Sequence, residues 1–195
     1  MRSKLVLPGL ALLMLATPAY AHTGMHLSFS FGSGFLHPLH GLDHLLAMFA
    51  VGLFAAQLNG RAIWFVPGAF VAMMIVGALL GMSTIEIPAV ELGILLSVIA
   101  IALPVALALG MPASAAMAYV GVFALFHGAA HGAELPAGAS AWSYIAGFTL
   151  ATAVLHAAGI AVGLACGRAD FGRGALALRA AGGLVVLAGL SLAVA

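Results

Sequence analysis

The chain has 195 residues, 65% of them hydrophobic and only 6% charged, with a formal net charge of +1. A soluble domain carries about 25% charged residues, so this chain cannot cover itself with a polar surface and reads as a membrane protein. It has no basic patch to hold nucleic acid, and its single cysteine, Cys166, excludes an intrachain disulfide or a multi-thiolate metal site.

The N-terminus has the pattern of a secretory signal. Arg2 and Lys4 are its positive region, residues 5–16 its short apolar core, and Ala19-Tyr20-Ala21 its A-x-A cleavage site. The apolar run falls short of the ~20 residues a spanning helix needs. Residues 1–21 are therefore expected to be a signal peptide that is removed, with an uncleaved anchor helix as the alternative. A polar, glycine-rich stretch follows at 22–34.

Residues 22–195 are expected to form a single domain, an all-α polytopic membrane helix bundle with about six transmembrane helices. The apolar segments run over 37–58, 62–82, 89–109, 113–134, 142–167 and 175–195. Asn59-Gly60-Arg61, residues 83–88, Gly110-Met111-Pro112, residues 135–141 and residues 168–174 separate them, with glycine and proline as punctuation. Loops this short make neighbours antiparallel. With the mature N-terminus outside, Arg61, Arg168, Arg173 and Arg179 fall on the cytoplasmic side, while the loops around Glu86 and Pro136 carry no lysine or arginine. That is the positive-inside pattern. It implies a multi-pass protein of a bacterial inner membrane with both mature termini periplasmic. Gly159, Gly163 and Gly167 recur every fourth position, as do Gly128 and Gly132. Such spacing suits close helix packing in lipid. Gly128 and Gly132 could also leave open space beside His127 and His131.

Two short stretches carry most of the ionisable groups. The first is His37-Pro38-Leu39-His40-Gly41-Leu42-Asp43-His44, the second His127-Gly128-Ala129-Ala130-His131-Gly132-Ala133-Glu134. With the topology above, both lie in the outer half of the membrane, on helices one and four. His37, His40 and His44 are spaced i, i+3, i+7, and His127, His131 and Glu134 are spaced i, i+4, i+7. Each set would occupy one face of a helix. Ionisable side chains at membrane depth are costly and mark ion paths, and imidazole with carboxylate suits borderline transition metals. His37, His40, Asp43, His44, His127, His131 and Glu134 are thus the expected metal residues. Asp43 and Glu134 would ligate directly or hold a histidine in place. Pro38 is expected in the first turn of helix one, where its missing N–H costs nothing. The competing reading is structural, with histidines hydrogen-bonded between helices.

Further candidates are secondary. His156 lies nearer the middle of helix five, either as a second station or as an interhelical hydrogen bond. Glu91 could guide cations or simply be solvated. His22 and His26 would flank the mature N-terminus and could capture metal, or belong to a disordered end. Met48, Met73, Met74 and Met117 read as core filler, and Cys166 as inert packing.

The run His37-Pro38-x-x-Gly41-x-Asp43-His44-x-Leu46-Ala47-Met48 and the run Phe126-His127-Gly128-x-Ala130-His131-Gly132-x-Glu134 resemble the signatures of the HupE/UreJ family of hydrogenase and urease accessory membrane proteins. That resemblance spans essentially the whole chain. It implies a nickel permease, handling cobalt in some members, with His37, Asp43, His44, His127, His131 and Glu134 as the motif residues. His40 is added by spacing alone. The function expected is secondary import of Ni2+ from periplasm to cytoplasm, with Co2+ or Zn2+ as alternative cargo, and not enzymatic. No permanently bound cofactor is expected, and no P-loop pattern for a nucleotide occurs. Two alternatives stay open: an intramembrane metal hydrolase, and a metal sensor or storage protein. Oligomeric state stays open as well.

Overall fold

The computed structural model describes residues 30–83, 85, 87–135, 139–167 and 172–194. The expected signal peptide, His22, His26, Glu86, Arg168 and the loop around Pro136 lie outside the described residues. Seven helices follow in chain order: α1 Phe31–His40, α2 Leu42–Leu58, α3 Ala62–Gly81, α4 Val90–Ala106, α5 Ala113–Glu134, α6 Ala139–Gly167 and α7 Arg173–Leu192. Among the described residues the fold is all-α, as the apolar runs indicate.

α3, α5, α6 and α7 are each long and apolar enough to cross a membrane. α1 and α2 count as one further span only as a broken pair, bent by 85°. α4 is an apolar helix of 17 residues, at the lower limit of about 17–25 residues for a span.

The broken pair corrects the expected continuous helix over 37–58. α1 begins at Phe31, inside the stretch taken for a polar link, because Ser30 and Ser33 form a capping box. Ser33 N donates to Ser30 Oγ at 3.2 Å, and Ser30 N donates to Ser33 Oγ at 2.9 Å. Pro38 therefore sits near the end of α1 and not in its first turn. The chain turns at Gly41, whose backbone is extended (φ −84°, ψ 113°). A Cβ there would lie 2.9 Å from Asp43 Oδ1 and 3.1 Å from His44 Nδ1, so the turn is tight because the residue is glycine.

α2 is the axis of the bundle and touches all the other helices. It is buried from Ala47 to Ala56 almost without interruption. Outward-facing Trp64, Trp142, Leu176 and Leu187 leave large apolar area exposed, as expected for a lipid-facing surface. Four helix pairs among the described residues pack backbone to backbone through glycine, α4–α7 through Gly182 against Ala106 N and three others nearer the polar residues. In α3–α5, a Cβ on Gly77 would strike the Leu125 carbonyl, and one on Gly128 or Gly132 the carbonyl of Met74 or Ala78. In α2–α6 the same holds for Gly52 against His156 and Gly159 against Phe49. In α1–α6 it holds for Gly34 against Tyr144 and Gly147 against Phe31. Gly128 and Gly132 thus serve close approach and open no space beside the imidazoles. Gly163 faces Ala56 on α2, while Gly167 has nothing within 4 Å.

Gln57 near the end of α2 donates to the carbonyl of Pro104 in the last turn of α4 and to that of Leu109 just beyond it. Arg179 of α7 donates to the carbonyl of Ala106. Arg61, Arg173 and Arg179 thus share the end of the bundle opposite α1.

Candidate metal centre

Three elements meet at the α1 end. The 85° bend lays α1 against α6 and lowers His37 toward the mouth of the bundle. His44 is in the first turn of α2, and His131 is in the last turn of α5. One ring nitrogen from each of His37, His44 and His131 lies within 4.8 Å of the other two. His44 and His131 are buried and His37 half-buried. The rings pack edge to face, His37 on His131 at 4.4 Å and His37 on His44 at 5.8 Å between centroids. Phe148 of α6 closes the side, 4.5 Å from the His131 ring.

Asp43 fixes the orientation of His44. Its Oδ1 accepts from His44 N and from His44 Nδ1, both at 2.7 Å. A carboxylate only accepts, so the ring hydrogen resides on Nδ1, and Nε2 presents a lone pair. That Nε2 lies 2.7 Å from Nε2 of His131. A hydrogen shared between the two nitrogens accounts for the spacing, and a cation bound to both would displace it. Metal–nitrogen bonds of about 2.0–2.1 Å require nitrogens about 3.3 Å apart in a tetrahedral site, so the pair would open by roughly half an ångström. Asp43 also supplies negative charge at the N-terminus of α2, whose dipole would otherwise repel a cation.

His127 lies one turn along α5 from His131, its ring 4.8 Å from that of His44. Ser97 of α4 donates to the carbonyl of Ile94, so its oxygen accepts from His127 Nε2 at 2.8 Å. The other nitrogen, Nδ1, then carries a lone pair. It is buried with no hydrogen-bond partner among the described residues, which fits a fourth donor beside the cluster.

The remaining sequence candidates lie outside the three-histidine group. His40 is exposed at the end of α1. The break at Gly41 removes it from the face of His44, so the i, i+3, i+7 spacing has no meaning across that turn. Glu134 is exposed in the last turn of α5, and Glu91 is exposed in the first turn of α4; neither belongs to the three-histidine group. His156 is 2% exposed, and both of its ring nitrogens lack a hydrogen-bond partner among the described residues. It is therefore not an interhelical hydrogen bond. Sequence reasoning missed Ser97 and Thr152, although Ser97 is a lone hydroxyl inside an apolar run, a pattern that signals a buried partner; Thr152 has Thr149 one turn before it and gave no such signal.

The model of the HupE / UreJ protein family matches residues 10–192. The chain belongs to the HupE/UreJ family. It is 47% identical over 186 residues to Protein HupE of Rhizobium leguminosarum bv. viciae, covering 95% of each chain. No solved structure matches it. The motifs that carried the resemblance in the sequence are those that supply His37, Asp43, His44, His127 and His131 to this corner of the bundle, so the HupE/UreJ pattern has a spatial counterpart in the fold.

Proposed function

We propose that this HupE/UreJ protein is a secondary permease that imports Ni2+, with Co2+ as second cargo, for a nickel enzyme such as hydrogenase or urease. The carrying observation is the convergence of three imidazole nitrogens from α1, α2 and α5 within 4.8 Å, with Asp43 bonded behind His44. Imidazole donors with a supporting carboxylate favour a borderline divalent ion over magnesium or calcium. The cluster opens toward the periplasm in this reading, since Arg61, Arg173 and Arg179 mark the opposite, cytoplasmic end. The ion is the cargo, captured by His37, His44 and His131 with His127 beside them, and then passed inward.

The test is uptake of radioactive nickel into cells lacking other nickel importers. His44→Ala and His131→Ala are expected to lower uptake at least tenfold, and His40→Ala to leave it within twofold. Wild-type transport in either ligand variant would sink the assignment. Release of fatty acid or peptide by the metal-loaded protein, with no uptake, would favour a hydrolase instead.

A further inference from the structure

Buried polar groups continue from the histidine cluster as a column into the bundle. Met48 lies one turn from His44 on α2, Thr152 one turn from Phe148 on α6, and Met74 and then Phe70 follow on α3. Thr152 Oγ1 donates to Met48 Sδ at 3.2 Å and lies 3.7 Å from Met74 Sδ. Thioethers from two helices therefore converge on one hydroxyl of a third, and all three side chains are at most 1% exposed. His156 comes one turn further along α6. The Phe70 ring bridges the levels, with its centroid 5.7 Å from the His127 ring and 5.1 Å, edge on, from the His156 ring. Phe70 is completely buried.

His156 stands out because neither ring nitrogen has a hydrogen-bond partner among the described residues. Buried polar atoms are almost always satisfied, and an exception asks for an explanation such as an ion. His127 Nδ1, on the other ring packed against Phe70, also has no hydrogen-bond partner among the described residues. One buried imidazole with both nitrogens unpartnered and another with Nδ1 unpartnered thus both lie against one aromatic ring, and two polarisable sulfurs meet Thr152 one turn from His156.

We propose that His156, with the thioethers of Met48 and Met74 and the hydroxyl of Thr152, forms a second, inner station for a first-row divalent cation, reached from His127 past Phe70. This deepens the permease reading and rests on it. One imidazole and two neutral thioethers carry no negative charge, so the inner station binds more weakly than the cluster backed by Asp43. A weaker second site suits an ion that must leave, since conduction needs sites that also release.

Equilibrium dialysis of 63Ni2+ against the purified full-length protein in lipid nanodiscs tests this, alongside uptake into proteoliposomes. Wild type is expected to bind two ions per chain. His156→Gln is expected to bind one, with the affinity of the remaining site unchanged within threefold, and to lose at least tenfold in uptake. The double variant Met48→Leu, Met74→Leu is expected to weaken only the second site, by about tenfold, and it decides the matter should His156→Gln not fold. Binding of one ion by wild type, or of two with unchanged affinities by the variants, overturns the inner station. Two ions bound by wild type without any uptake would leave the station standing and overturn the permease reading.

Discussion

Replacing Asp43 measures how much of the site depends on the orientation of one ring. Its Oδ1 accepts two hydrogen bonds at 2.7 Å from His44, but its side chain is 35% exposed, so part of its charge is screened by solvent. In Asp43→Asn the amide oxygen can still accept both bonds, and only the charge is lost. Partners of metal-ligating histidines typically contribute 10–100-fold in affinity. Asn should therefore fall near the low end, about tenfold in nickel affinity, or ~1.4 kcal/mol. Asp43→Ala removes the acceptor and frees the ring of His44 to adopt either tautomer, which places it near a hundredfold, or ~2.8 kcal/mol. Competition of the purified protein with a chromophoric chelator measures both, with the melting temperature as a control for folding. Nickel affinity of Asp43→Ala within twofold of wild type would refute the role given to Asp43. An Asn variant as weak as His44→Ala would show that Asp43 ligates directly, contrary to the geometry described.

Two further substitutions probe the scaffold. Gly128→Ala would drive a Cβ into the Met74 carbonyl, where only backbone can yield; overpacking of this kind costs about 1–3 kcal/mol or more, read as a lower melting temperature in detergent. Gly167→Ala, with open space around it, is the control and should melt like wild type. Ser97→Ala strands His127 Nε2 in the interior at a cost of about 1–3 kcal/mol, and should lower both the melting temperature and nickel affinity. An unchanged affinity would separate His127 from the site.

Much of the bundle was legible because glycine and proline interrupt long apolar runs cleanly. The segments at 62–82, 113–134 and 142–167 lie within a few residues of α3, α5 and α6. The first segment misled because its decisive signals are local. Pro38 looks like a helix start, yet the start is at Ser30 and the bend at Gly41. Helical phase therefore worked for His127 and His131, which share an unbroken helix, and failed for His37, His40 and His44, which do not. His37 reaches the cluster through the bend, and His40 is turned away by it. Periodicity holds only while the backbone repeats. The Met48–Thr152–Met74 contact was illegible for another reason: it joins three helices, and methionines in apolar runs look alike whether or not a hydroxyl meets them.

The glycine contacts divide the donors mechanically. α3 and α5 are locked together as one slab, and α1, α2 and α6 as another. His37 and His44 ride on the second slab and His131 on the first, so the 2.7 Å contact between His44 and His131 crosses the seam between them. α2 and α5 otherwise scarcely meet. The contact of Thr152 and Met74 crosses the same seam deeper in the bundle. A slide of one slab by a single bond length would respace the donors on either side of the joint while leaving each slab internally unchanged. Occupancy of the cluster and the relative position of the slabs are, in that sense, one coordinate.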